Sequence, residues 1–310
     1  MKAVVTGGTG FIGRWLVKDL LHEGYDVTVL VRSRDKATQK YTDEIIGYKQ
    51  TLHLIEYDAA DMEQLQAGIS EPDVFFHLAW GGVAPEKKND LKIQTDNITG
   101  SIETLKFAHR IGAKRFIAVG TVAEYVMDDK ILDVDRKQSP NDIYGAAKVA
   151  AHYMLEAVAK AIGQPFNWAV LPSTYGEGRT DGNILTYTIT TLLKGEKPKY
   201  GDLCQMWDFV YVSDVVRALR LIGEKGQINK TYGIGSGKYK QLRNFIMIIR
   251  DIIDPSLPLG IGENQSMSGK TVSSCVDIYE LVKDTGFSAE VEFADGIKRM
   301  ITYEKAKMDK

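Results

Sequence analysis

Short apolar runs and amphipathic stretches alternate along the first half of the chain. Lys2 to Val5, Val27 to Val31, Leu52 to Glu56, Val74 to Leu78, Arg115 to Gly120 and Asn167 to Leu171 each read as a strand, being brief and rich in β-branched and aromatic residues. Between them, Gly13 to Glu23, Leu91 to Ile111 and Tyr144 to Ile162 carry apolar residues at helical spacing, with Leu16, Leu20 and Leu21 on one face of the first. This alternation predicts an α/β fold with a doubly wound parallel sheet covered on both faces. After about residue 172, turn-rich stretches (Tyr175 to Gly178, Pro198 to Gly201, Gly233 to Gly237, Pro255 to Gly262) separate shorter elements, with helices expected at Leu185 to Lys194, Ser213 to Gly223 and Leu242 to Ile253. The reading divides the chain into residues 1–171, with about 204–235 returning to them, and a smaller mixed α/β C-terminal substrate domain of 172–203 and 236–310. No Pro/Ser linker separates the two, so they are expected to pack closely and enclose a substrate cleft.

Composition narrows the partners. A chain of 310 residues with 39 basic and 41 acidic side chains has a net charge of −2 and gives no reason to invoke nucleic acid or an anionic membrane. No run approaches the roughly 20 apolar residues of a membrane span, and the apolar start is cut short at Thr6, so a soluble, cytoplasmic protein is expected. The two cysteines, Cys204 and Cys275, and the five histidines show no metal-ligand spacing, so no metal is expected. Lys36 to Lys40 and the Lys87–Lys88 pair read as solvated loop charge.

Thr6 to Gly13 (TGGTGFIG) follows the first strand directly and opens the first helix. Gly7 permits the tight turn, Gly10 lets backbone approach a pyrophosphate, and Gly13 lets helix pack on strand. With Thr9, Phe11 and Ile12 they make a phosphate cradle at a helix N-terminus, in a Rossmann-type arrangement. NAD-binding versions place a carboxylate at the end of the second strand. Here that strand ends in Arg32, Ser33 and Arg34, a set suited to clamping a 2′-phosphate, so NADP is favoured, with NAD possible. Asp58, beside Ala59, is placed to accept from the adenine amino group.

Tyr144 and Lys148 lie at i and i+4 at the start of a helix and share one face. A tyrosine hydroxyl ordinarily titrates near 10; an ammonium one turn away and a cationic nicotinamide ring favour the phenolate. Thr121, just past the fifth strand, offers a hydroxyl to the reacting oxygen, and Asn97 on the preceding long helix is a fourth candidate.

These residues, with His77 to Ala79, Asn97 to Gly100, Gly120 to Tyr125, Pro172 to Gly176 and Asp208 to Asp214, resemble the extended short-chain dehydrogenases/reductases of the nucleotide-sugar epimerase, dehydratase and reductase group over about residues 1–215. The resemblance implies Tyr144 as acid/base, Lys148 as its tuner and ribose ligand, and Thr121 in a position often held by serine. It extends the cofactor contacts to Leu78, Ala79 and Pro172, and implies a homodimer through the Leu91–Ile111 and Tyr144–Ile162 helices. The 4,6-dehydratases of the group carry an Asp-Glu pair after the catalytic threonine; here Val122 and Ala123 stand there, and an alternating backbone would point Glu124 away from Thr121. The leading expectation is therefore an NADP-dependent reductase of a 4-keto-6-deoxy nucleotide-sugar, with a nucleotide-sugar 4-epimerase or a carbonyl reductase of the dihydroflavonol type as alternatives. Substrate contacts are expected from Val122, Ala123, Ser173, Arg179 and Trp207, with Arg179 or Lys270 toward the diphosphate. From another class, a non-catalytic NADP-binding regulator is the alternative; such relatives commonly lose the tyrosine or the lysine, and this chain keeps both.

Overall fold

Alternate residues of the predicted strands face opposite sides of one sheet, and each side is apolar. The computed structural model describes residues 1–41, 45, 47–48, 51–57, 65, 68–125, 130–179, 182–264 and 274–309. Strands β1 (Lys2–Thr6), β2 (Asp26–Val31), β3 (Leu52–Glu56), β4 (Val74–His77), β5 (Phe116–Thr121), β6 (Phe166–Leu171) and β10 (Lys230–Gly233) form one sheet in the order β10-β6-β5-β4-β1-β2-β3. Every pairing in it is parallel. On one face Val5, Val29, Phe76, Ile117 and Ala169 pack against α1 (Phe11–His22) and α6 (Val212–Lys225). On the other, Val4, Leu30, Phe75, Phe116 and Trp168 pack against α3 (Leu91–Arg110) and α4 (Ile143–Ile162). A period of two in the strands and helices on both sides is the doubly wound α/β architecture that the sequence predicts.

The remaining elements are α2 (Arg34–Lys40), β7 (Ser173–Tyr175), α5 (Ile184–Leu193), β8 (Met206–Trp207), β9 (Phe209–Tyr211), β11 (Lys240–Gln241), α7 (Leu242–Ile253), α8 (Tyr279–Thr285) and α9 (Phe293–Met308). Tyr175, Leu185, Ile189, Phe209, Tyr211, Phe245, Ile249, Ile297 and Met300 gather in a third apolar cluster. The sequence pattern missed β7 to β11 because each is only two to four residues long, too short to show a period of two. It also missed α2, α8 and α9; Lys36 to Lys40, expected as solvated loop charge, lie on α2, and Lys40 faces a cavity.

Helix α4 is held at both ends. The Asp142 side chain accepts from the Gly145 N–H at 2.7 Å, and Gly163 closes the helix with φ 75°. These caps fix the rotation of the helix that carries Tyr144 and Lys148.

Candidate active site

The glycine loop shows what its glycines are for. Gly7 has φ +72°, and a Cβ there would lie 2.6 Å from the Ala79 nitrogen, so the loop rests against the exit of β4. A Cβ on Gly13 would stand 2.1 Å from the Gly7 oxygen. Helix α1, like α6 to α9, begins without a side-chain cap, and its start at Gly10 borders two cavities. Its first-turn N–H groups are left for an anion, which is the donor set a dinucleotide diphosphate requires.

Two cavities adjoin there and share Gly7, Gly10, Leu78 and Trp80. One, of about 410 Å³, is lined by Phe11, Ile12, Gly13, Gly120, Thr121, Tyr144, Lys148, Pro172, Thr174 and Arg179 among others. The second, of about 460 Å³, includes Thr9, Arg32, Lys40, Ala79 and Asn97 in its wall. Both lie beyond the carboxyl ends of β1 and β4, where the strand order reverses and α/β sheets bind ligands. Their lining fits a nicotinamide dinucleotide laid across the loop.

Tyr144, Thr121 and Lys148 come together in the first cavity. Both side chains, Tyr144 and Thr121, face it, and the Thr121 hydroxyl also accepts from the Ala123 N–H at 3.3 Å. Lys148 is buried, donates to the Val119 carbonyl at 2.8 Å and stands 3.7 Å from the centre of the Trp80 ring. Burial pushes the Tyr144 phenol up to about 12, the Thr121 hydroxyl opposes the rise, and the charges of Glu124 and Asp142 add to it. Burial lowers Lys148, against the pull of the Glu124 charge. The resting tyrosine is a protonated phenol.

Glu124 corrects an expectation. After Thr121 the backbone does not alternate but closes a single 3-10 turn, Val122–Glu124, capped by Thr121. The turn brings the Glu124 carboxylate back under Thr121, whose N–H it accepts at 2.7 Å. Glu124 is wholly buried.

The remaining candidates divide. Asn97 lines the second cavity, but its amide is taken up by Gly81, accepting from that N–H at 2.8 Å and donating to that carbonyl at 2.9 Å. Of the expected phosphate clamp, Arg32 alone faces the second cavity, joined by Lys40. Ser33 caps α2 and Arg34 turns to the Leu54 carbonyl. Asp58, Ala59 and Lys270 lie outside the described residues. Among the substrate candidates Arg179 lines the first cavity, while Val122, Ala123 and Ser173 are not in its wall. Thr174 takes the place expected of Ser173. Trp207 packs beside Phe209 at the edge of the third cluster. Sequence reasoning missed Trp80 and Thr174, although each adjoins a motif residue, Ala79 and Ser173. Among the described residues no helix is long and apolar enough to cross a membrane, and no group of three or more His, Cys, Asp or Glu could hold a metal ion.

His77 sits between the Thr6 hydroxyl at 2.8 Å and the Ser101 hydroxyl at 2.9 Å. Burial pushes it down to about 3, with the Lys148 charge adding. It is neutral when folded, whereas an unfolded histidine takes up its proton near 6.5. Such a group favours the folded state above 6.5, and its contribution is lost as pH falls from there toward 3. The stability advantage of wild type over His77→Gln should therefore shrink by about 1.4 kcal/mol between pH 7.5 and 5.5. Urea midpoints at the two pH values check this; an unchanged difference would mean that His77 is not held neutral.

The chain is similar to known proteins along nearly its whole length. A probable UDP-glucuronate 4-epimerase of Rhizobium meliloti (strain 1021) is 25% identical, over 98% of this chain and 96% of that protein. A dTDP-glucose 4,6-dehydratase of Escherichia coli is 26% identical, over 97% and 92%. Among solved structures, the UDP-N-acetylglucosamine 4-epimerase from Methanobrevibacter ruminantium M1, in complex with UDP-N-acetylmuramic acid, has the same fold with a TM-score of 0.84 at 22% identity, covering 99% of each chain. The UDP-glucuronic acid 4-epimerase from Bacillus cereus, in complex with UDP-glucuronic acid and NAD, gives 0.83 at 23%, covering 99% and 100%. The model of the NAD dependent epimerase/dehydratase family matches residues 3–235, and the chain belongs to that family, an enzyme of the extended short-chain dehydrogenase/reductase type.

Proposed function

We propose that this protein is a nucleotide-sugar 4-epimerase, with Tyr144 as its acid/base. The observation that carries the reading is the meeting of Tyr144, Thr121 and Lys148 in one cavity that runs into the glycine loop. The relatives reported above act on UDP- or dTDP-sugars, and two chemistries dominate them. Dehydration needs an acid and a base after the threonine; Val122 and Ala123 carry no protons, and Glu124 is turned under the backbone. Epimerisation needs only proton transfer at one oxygen, which the residues present supply.

The residues around the glycine loop, Gly7, Gly10 and Gly13 with Leu78 and Ala79, would hold a nicotinamide dinucleotide, which would supply reversible hydride acceptance at the sugar C4. Tyr144 takes the proton of the C4 hydroxyl as the hydride leaves and gives it back to the ketone oxygen after the sugar has presented its other face. Thr121 holds that oxygen through its hydroxyl. Lys148 supplies positive charge beside the phenolate and a donor for the ribose. Arg179, which lines the first cavity and donates to the Thr174 carbonyl, is the cation assigned to the sugar diphosphate in this reading. The division into residues 1–171 with 204–235, and 172–203 with 236–310, belongs to the same reading, the smaller part covering the sugar. So does a homodimer: Leu91, Tyr153 and Met154 expose apolar surface on α3 and α4, and light scattering of the purified protein tests it. Proton NMR of UDP- and dTDP-hexoses incubated with the enzyme tests the reaction. Inversion at C4 without net cofactor consumption is expected; a 4-keto-6-deoxy product would overturn it.

One observation favours the second reading, an NADP-dependent reductase of a 4-keto-6-deoxy nucleotide-sugar. Arg32 and Lys40 both line the second cavity, at the end where the adenosine ribose would lie. Charge-assisted contacts to a phosphate are worth about 1.5–3 kcal/mol. Replacing both residues by alanine should then weaken NADP binding about 10- to 100-fold and leave NAD binding nearly unchanged. Fluorescence titration with each cofactor decides this. Equal losses for both would remove the case for a 2′-phosphate site.

A further inference from the structure

Lys148 presents a problem of charge. It is 4% exposed, and its direct partners are the uncharged Val119 carbonyl at 2.8 Å and the face of Trp80 at 3.7 Å. Among the described residues no carboxylate lies within ion-pair distance of it. Glu124 presents the complementary problem. It is 0% exposed and held only by neutral donors: the Thr121 N–H at 2.7 Å, the Trp168 indole at 3.1 Å and the Gln138 amide at 3.3 Å. His152, 3.8 Å from the carboxylate, is kept neutral by burial, as is His77 on the Lys148 side. Tyr144 and Tyr125, the other titratable groups facing Glu124, are protonated phenols. Lys148 Nζ stands 5.9 Å from the centre of the Trp168 ring, and the indole N–H of that ring donates to Glu124 at 3.1 Å, so the ammonium and the carboxylate adjoin the same side chain; each charge acts on the other. The site is built to hold the carboxylate: a Cβ on Gly120 would fall 2.3 Å from Glu124 Oε1 and 2.2 Å from Trp168 Nε1. Tyr144, Lys148 and His152 follow at i, i+4 and i+8 on α4, so one helix face spans the unit from the reacting oxygen to the buried carboxylate.

We propose that Glu124 is a positioning residue of this active site, fixing the backbone of Thr121 through one hydrogen bond and keeping Lys148 an ammonium through its charge. The inference rests on the proposed acid/base role of Tyr144, because an uncharged Lys148 would not favour its phenolate. An isolated buried charge tends to neutralise, and a buried partner of opposite sign prevents this. Neither residue needs to touch the other, since the low-dielectric interior between them carries the field.

The test uses the cofactor-free protein labelled with 13C at the lysine Cε, the Lys148 resonance being assigned with Lys148→Arg. Glu124→Gln keeps the side-chain shape and the acceptor for Thr121, and should move the Lys148 titration midpoint down by about one pH unit or more. Gln138→Leu removes one hydrogen bond to the carboxylate but no charge, and should leave the midpoint in place. An unmoved midpoint in Glu124→Gln, or an equal movement in both variants, overturns the proposal. Should Glu124→Gln not fold, Lys148→Met reads the same coupling from the other side. The Glu124 carboxyl midpoint, followed by 13C-glutamate labelling, should rise, and an unmoved value again overturns it. A protein that shows this coupling yet turns over no nucleotide-sugar would refute the epimerase reading and leave the role of Glu124 toward Lys148 standing.

Discussion

Tyr144→Phe should lower kcat by about 10²- to 10⁴-fold, the range that a positioned proton donor contributes, while the affinity for the dinucleotide changes little. The substitution removes one oxygen and keeps the ring, so the edge-on packing against Trp80 at 6.5 Å persists. What is lost is the one phenol that, among the described residues, the wall of this cavity offers. Turnover measured at saturating substrate, together with cofactor titration, separates the two effects. A variant with wild-type turnover would end the acid/base assignment. A variant that no longer binds the dinucleotide would instead point to a structural role.

Gly13→Ala carries the second large effect. The added methyl would meet the Gly7 oxygen at 2.1 Å, the Gly7 carbonyl carbon at 2.8 Å and the Gly8 Cα at 2.8 Å. All three are backbone atoms, so no side chain can swing aside, and either α1 or the loop must shift. Overpacking of this kind costs about 3 kcal/mol, equivalent to a factor of about 100 in an equilibrium constant. The expected results are a lowered urea midpoint and a comparable loss of dinucleotide affinity. Wild-type values for both would mean that the loop is more yielding than its contacts imply.

What the sequence made legible was local. The strands of the main sheet, the glycine loop and the Tyr144–Lys148 spacing depend on periods of two and 3.6 and on backbone freedom, all of which are written in adjacent residues. The parts that were not legible depend on tertiary placement. Glu124 was read as pointing away because a strand was assumed to continue through Thr121; the capped 3-10 turn reversed it. Ser173 was chosen where Thr174 lines the cavity, since a three-residue strand after a proline gives no way to set its phase. Lys40 lies a whole helix beyond Arg32, and only the folding of α2 returns it to the same wall.

Asn97 holds Gly81 by both halves of its amide, and Trp80, next along the chain, is fastened to Gln94 at 2.9 Å. A recognition surface clamped in this manner has surrendered its conformational entropy during folding, so association with a ligand need not bear that loss a second time. Cutting the clamp with Asn97→Ala would thus appear as slower, weaker capture by a loosened wall, with the chemical step itself spared.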